Sequence, residues 1–173
     1  MSIPKPQYLP VWGAILVLAL LVVAFNVIPS GLAMKWNSKL KDALGSTPAA
    51  PAPIAFAIVW PILYTLLAGA VFFLIFYPAK GTSKAVQWTA LGLLVSQLAL
   101  NFAWTPVFAQ GKRATATLLI IIMLMLTISS LALSATAQPV AAALTGPYAA
   151  WLVFALLLSA QSQVKQTPAA RQM

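Results

Sequence analysis

Residues 114–135, ATATLLIIIMLMLTISSLALSA, contain no charged side chain and form a run long enough to cross a lipid bilayer as one helix. A transmembrane helix needs about 20 apolar residues to span about 30 Å of hydrocarbon. Comparable segments occur at residues 9–28, 54–77, 86–108 and 141–164. Because all five are continuously apolar, whereas barrel strands alternate in polarity, the segments are predicted to be helices. The sequence therefore predicts an all-α membrane protein, a five-transmembrane-helix bundle that forms a single domain over residues 1–173.

Composition supports the membrane assignment and limits the chemistry. Hydrophobic residues make up 62% of the chain and charged residues 6%, against about 45–50% and about 25% in soluble domains. Histidine and cysteine are both absent, which excludes disulfides, thiolate nucleophiles and imidazole catalysis. We therefore predict no metal site and no required cofactor.

The ten basic residues and one acidic residue give a net charge of +9. The basic residues are scattered in the gaps between apolar segments, which indicates contact with the lipid bilayer rather than with nucleic acid. The positive-inside rule compares the basic residues on the two sides of the membrane. It predicts an extracytoplasmic N-terminus and a cytoplasmic C-terminus, without saying which membrane is concerned. The less basic side has Lys5, Lys80 and Lys84; the cytoplasmic side has Lys35, Lys39, Lys41, Lys112, Arg113, Lys165 and Arg171.

Residues 29–53 form the one long predicted connection. Trp36, Leu40 and Leu44 are spaced four residues apart, which predicts a short amphipathic helical turn at the membrane interface. The Pro-rich residues 46–53, STPAAPAP, cannot continue a helix for long. This connection is predicted to be either a lid over a binding site or a simple tether between helix ends.

Polar and aromatic residues within the apolar segments indicate where a ligand would bind. Gln97, Asn101 and Trp104 share one face of the third segment, and Phe108 follows at its end. Buried amides often hydrogen-bond neighbouring helices, so a purely structural role for Gln97 and Asn101 stays open. Aromatic residues recur on the second and fifth segments, and together they predict an apolar, aromatic pocket for a flat ligand. These residues are Trp60, Tyr64, Tyr148, Trp151, Phe154 and the adjoining Ala155.

Three stretches resemble one known family. Residues 96–108, SQLALNFAWTPVF, resemble the Gln–Leu–Ala–x–Asn–x–x–Trp–x–Pro–x–Phe run of the TspO/MBR family of tryptophan-rich sensory proteins, which lies in the third of five helices. Residues 59–64, VWPILY, and 147–155, PYAAWLVFA, resemble family segments in helices two and five. The chain departs from the family at Ala49–Ala50–Pro51–Ala52, where a Trp–x–Pro–Pro motif is expected.

The resemblance implies a membrane protein, usually a homodimer, that binds protoporphyrin IX, haem or sterol-like molecules in a pocket capped by the first loop. It implies a role in sensing, regulation or transfer. The pocket positions of the family fall on Trp60, Tyr64, Asn101, Trp104, Trp151, Phe154 and Ala155.

Two alternative functions remain open. In bacterial members of the family, tryptophans that match Trp60 and Trp151 are associated with light-dependent breakdown of protoporphyrin. Those two residues would be the catalytic pair if this chain were such an enzyme. The other alternative is a structural membrane interaction partner that binds no small molecule.

Overall fold

A computed structural model describes residues 9–45 and 53–170, with side chains described at 9–45 and 56–160. Within these ranges the chain forms only helices, and five of them are long and apolar enough to cross a membrane. The predicted all-α membrane fold with five transmembrane helices is confirmed. The six helices are α1 (Val11–Lys35), α2 (Asn37–Gly45), α3 (Pro53–Phe76), α4 (Lys84–Ala109), α5 (Arg113–Ala137) and α6 (Pro139–Ala170).

The five long helices pack as a ring in the order α1, α3, α6, α5 and α4. The contact between α4 and α5 is the most extensive, and the ring closes loosely where α4 meets α1 and α3. Leu67, Leu94, Met123 and Leu152 are buried where the helices meet. Trp12 and Trp88 lie on the outer surface with 72% and 53% of their area exposed, as expected of anchors at the membrane interface.

Polar side chains join neighbouring helices. Gln87 Nε2 of α4 donates to the Leu74 carbonyl of α3 at 2.6 Å, and Ser130 Oγ of α5 donates to the Ala90 carbonyl of α4 at 2.8 Å. Such bonds give helix contacts in a bilayer a directionality that apolar packing lacks, because lipid tails are as apolar as leucine.

Short turns connect the long helices. Gly111, between α4 and α5, has φ of 74°, and its N–H donates to the Phe108 carbonyl at 3.0 Å. This left-handed conformation ends a helix without the steric cost that a Cβ would add. At the opposite end of the bundle, Ala79 N–H donates to the Ala137 carbonyl at 2.7 Å, which ties the α3–α4 connection to the α5–α6 turn.

The predicted loop at residues 29–53 is largely helical, which corrects the sequence analysis. Helix α1 continues through Pro29 to Lys35, seven residues beyond its predicted end. A proline inside a helix removes one backbone donor, here the one to the Phe25 carbonyl, and membrane helices tolerate this loss. Ser30 Oγ donates to the Asn26 carbonyl at 2.6 Å, one position further along, so it does not replace the missing bond. The apolar residues after Pro29 then extend the helix.

The amphipathic turn predicted around Leu40 and Leu44 is confirmed as α2. Its two leucines pack against a small cluster with Phe108, while Lys39 and Lys41 are exposed. Residues 46–52, which include the family departure at positions 49–52, lie outside the described residues. The remaining helix boundaries fall within two residues of prediction, except that α6 continues to Ala170.

Candidate ligand-binding site

A chain of hydrogen bonds joins four helices in the middle of the bundle. The Tyr64 hydroxyl of α3 donates to Asn101 Oδ1 of α4 at 2.6 Å, and Asn101 Nδ2 donates to the Tyr148 hydroxyl of α6 at 3.1 Å. The Tyr148 hydroxyl in turn donates to the Met123 sulfur of α5 at 3.9 Å. All four residues are buried. The Asn101 amide, which the sequence predicted to face a ligand, therefore joins helices α3, α4 and α6 within this chain.

This network positions the aromatic residues beside it. Trp60 stacks on the Tyr64 ring with centroids 5.3 Å apart, so the hydrogen bond to Asn101 also fixes the surface on which Trp60 rests. Trp151 meets Trp60 edge to face at 6.0 Å and Phe56 edge to face at 5.6 Å. Offset and edge-to-face contacts of this kind stabilise aromatic pairs beyond their buried area.

A second stack lies nearer the end of the bundle where α2 packs. Trp104 and Phe108 are parallel within 15°, with centroids 4.6 Å apart, and the guanidinium carbon of Arg113 lies 4.8 Å from the centre of the Phe108 ring. Arg113 Nη2 also donates to the Ala43 carbonyl in the last turn of α2 at 2.7 Å. A cation at this position complements the helix dipole, and the contact fastens α2 to the start of α5.

Two cavities lie on either side of these aromatic residues. We call the four aromatic residues that line both of them, Phe56, Trp60, Trp104 and Phe108, the aromatic partition. The inner cavity, between α3, α4, α5 and α6, has a volume of about 60 Å³. The α1-side cavity, bounded by α1, α2, α3 and α4, has a volume of about 430 Å³. Ligand pockets commonly measure about 300–1,000 Å³, so only the α1-side cavity falls within this range.

Most of the predicted site residues line these cavities. Trp60, Asn101, Trp104 and Phe108 line both, and Tyr64 lines the α1-side cavity alone. Trp151, Phe154 and Ala155 line the inner cavity.

Gln97 and Tyr148 line neither of these two cavities. Both are fully buried between helices, with no exposed area. The helical spacing correctly predicted the inward face, but this part of the face is occupied by neighbouring helices rather than by open space. The Gln97 side-chain amide has no hydrogen-bond partner within the described part of the chain.

Sequence reasoning missed the contribution of α5 and one aromatic residue. Phe56 lies four residues before Trp60, so the spacing that linked Trp60 to Tyr64 could have found it. The α5 residues had no such signal, because their helix contains neither aromatic residues nor side-chain amides. Those lining the inner cavity are Arg113, Ala116, Thr117, Ile120 and Met123.

The fold and the site together define a multi-pass membrane protein with an aromatic interior bounded at one end by a short helix. A model of the TspO/MBR family matches residues 14–164, and the chain belongs to this family. It is 33% identical over 157 residues to the translocator protein of Sus scrofa, and the aligned region covers 89% of this chain and 88% of that relative. It is 31% identical over 160 residues to the translocator protein of Homo sapiens, with the same coverage.

Proposed function

We propose that this protein binds tetrapyrroles such as protoporphyrin IX and haem, and related flat apolar molecules such as sterols, in sensing, regulation or transfer. The observation that carries the proposal is the aromatic partition shared by the two cavities. Aromatic faces suit flat ligands, because stacking buries large areas at low cost in conformational entropy. The indole N–H of Trp104 is buried and finds no acceptor within the described residues, so it is available to a ligand oxygen or nitrogen.

A tetrapyrrole requires more space than the inner cavity offers. Of the two cavities, only the α1-side cavity approaches the volume that a tetrapyrrole requires. The aromatic partition separates the α1-side cavity from the inner cavity. Rotation of Trp104 and Phe108, which form one stacked pair, would join the two volumes. We propose that ligand binding displaces this pair and brings the ligand between Trp60 and Trp151.

Substitution of the two facing indoles tests the proposal. We expect Trp60→Phe combined with Trp151→Phe to weaken protoporphyrin IX binding by about tenfold, because two large stacking surfaces are lost. The measurement is a titration of purified protein followed by porphyrin fluorescence, with haem and cholesterol as further ligands. Trp88→Phe is the matched control, since Trp88 is exposed on the outer surface. Equal protoporphyrin IX affinity in the wild type, the double variant and Trp88→Phe would contradict the proposal.

The edge-to-face contact of Trp60 and Trp151 also favours a second candidate, light-dependent porphyrin degradation. In this reaction an indole would donate an electron to the excited porphyrin, with dissolved oxygen as the oxidant. Illuminating the complex in air and following porphyrin absorbance distinguishes the candidates, because binding without bleaching excludes the enzyme.

The structural-partner hypothesis can also be distinguished from ligand binding. Asn101 makes its hydrogen bonds within one chain, so it is not a residue on which a contact between two copies would depend. The homodimer implied by the family resemblance stays a prediction. A protein that self-associates but binds none of the tested ligands would favour the structural role.

We propose that the N-terminus is outside and the C-terminus is cytoplasmic. The hydrogen bond from Arg113 to Ala43 supports the placement of α2 and the start of α5 on one side, where the basic residues are concentrated. Since the chain contains no cysteine, Lys39→Cys and Lys80→Cys each introduce a single reactive thiol. An impermeant maleimide applied from outside should label Lys80→Cys in intact cells and Lys39→Cys only after permeabilisation. The reverse pattern would contradict this orientation.

A further inference from the structure

Arg113 occupies a distinctive position in the inner cavity. Among the described residues that line this cavity it alone carries a charge. Its guanidinium lies over the Phe108 ring at 4.8 Å. It also donates to the Ala43 carbonyl at 2.7 Å, and this bond does not depend on Phe108, which ligand binding is proposed to displace. A charged group held in this way at the edge of an apolar space is suited to orienting a ligand.

Deeper in the cavity the wall is mostly apolar. Along α5, Ile120 and Met123 line the same cavity as Arg113, and Leu152 lies opposite on α6. Ten residues separate Arg113 from Met123, which corresponds to about 15 Å along the helix. The wall is therefore charged near the membrane surface and mostly apolar towards the bundle centre, where the Asn101 amide is held in the hydrogen-bonded network. This polarity matches a ligand whose apolar body carries an anionic group at one end.

We propose that Arg113 selects ligands that carry a carboxylate, which it binds while the apolar body extends towards Met123. The inference rests on the proposed function and specifies its ligand class. A guanidinium has five N–H donors in a planar fork, and a carboxylate can accept two of them side by side. Such charge-assisted bonds strengthen away from bulk water. The chain has one acidic residue, Asp42, against ten basic ones.

The neighbouring residue provides a matched control. Lys112 precedes Arg113 directly, is exposed, and lines neither cavity. Lys112→Gln and Arg113→Gln remove the same charge at adjacent positions. Because glutamine is shorter than arginine, Arg113→Gln also weakens the bond to the Ala43 carbonyl, and a loss of that attachment alone would affect both porphyrins alike.

The test compares protoporphyrin IX, a dicarboxylic acid, with its dimethyl ester. Full-length protein in nanodiscs of zwitterionic lipid is titrated with each porphyrin. We expect the wild type to bind the acid about tenfold more tightly than the ester, and Arg113→Gln to abolish this difference by weakening acid binding alone. Lys112→Gln should keep the difference, and Arg113→Lys should keep part of it, because lysine retains the charge without the planar fork.

Each other outcome overturns the inference. Equal binding of acid and ester by the wild type would show that carboxylates are not selected, while the proposed function would stand. An equal loss of both ligands in Arg113→Gln would mean that Arg113 acts only through α2. Loss of the preference in nanodiscs with anionic phosphatidylglycerol would assign Arg113 to a lipid headgroup. If neither porphyrin binds, the proposed function fails as well.

Discussion

Replacement of Asn101 by leucine is expected to destabilise the folded protein by about 2 kcal/mol. The substitution removes the acceptor of the Tyr64 hydroxyl and the donor to the Tyr148 hydroxyl, and both tyrosines are buried. A buried polar group that loses its partner keeps the full cost of its desolvation. The effect should appear as a lower thermal midpoint of the detergent-solubilised protein.

Gln97→Leu is the matched control for this effect. Gln97 lies one helical turn before Asn101 and is equally buried, but its amide has no partner within the described residues. Replacing an unsatisfied amide by an apolar group of similar size removes a cost rather than a bond. We expect Gln97→Leu to leave the midpoint unchanged or to raise it. If Asn101→Leu proved as stable as Gln97→Leu, the hydrogen-bond network would not stabilise the bundle.

Replacement of Ala155 by leucine should weaken protoporphyrin IX binding by about tenfold or more. Ala155 lines the inner cavity on α6, and a leucine there would occupy space that the ligand needs. Accommodating a ligand against added carbon atoms costs about 1–3 kcal/mol by overpacking, and about 1.4 kcal/mol corresponds to a tenfold change in affinity. A titration of the purified variant measures the effect.

Ala150→Leu controls for the added bulk on the same helix. Ala150 is exposed on the outer surface of α6, so the same change there fills no cavity. Porphyrin affinity should stay at the wild-type value, and the thermal midpoints of both variants should be close. Equal affinity in Ala155→Leu and the wild type would place the ligand outside the inner cavity.

Continuity of the apolar segments made the transmembrane helices predictable from the sequence. Each segment must satisfy its backbone within the bilayer, so length and composition were sufficient to identify it. The first helix end was not predictable in the same way, because Pro29 usually interrupts helices. Whether a proline ends a helix depends on how the surrounding helices pack, and here α1 continues through Pro29 to Lys35.

The candidate site was predictable where residue type marked it. Trp60, Trp104 and Trp151 are polar-edged aromatic residues within apolar segments, and the structure brings all three to the inner cavity. Residue type could not distinguish Asn101, which lines both cavities, from Gln97, which lines neither. Whether a buried amide lines a cavity depends on where the neighbouring helices leave space, and the local sequence does not determine this.

The placement of Arg113 was not predictable from its position in the sequence. In the sequence it is one of several basic residues that indicate membrane orientation. In the structure its side chain turns towards the interior, stacks on Phe108 and bonds to α2. The two residues of this basic pair therefore differ in placement, because Lys112 is exposed and Arg113 lines the inner cavity.

The most direct test of interior ligand binding is fluorine NMR of protein labelled with 5-fluorotryptophan. The chain has six tryptophans, and single Trp→Phe variants assign their resonances. At stoichiometric protoporphyrin IX, the porphyrin ring current should shift the resonances of Trp60, Trp104 and Trp151. The resonances of Trp12 and Trp88, on the outer surface, should stay in place. Shifts confined to Trp12 and Trp88 would contradict interior binding and indicate a porphyrin adsorbed on the lipid-facing surface.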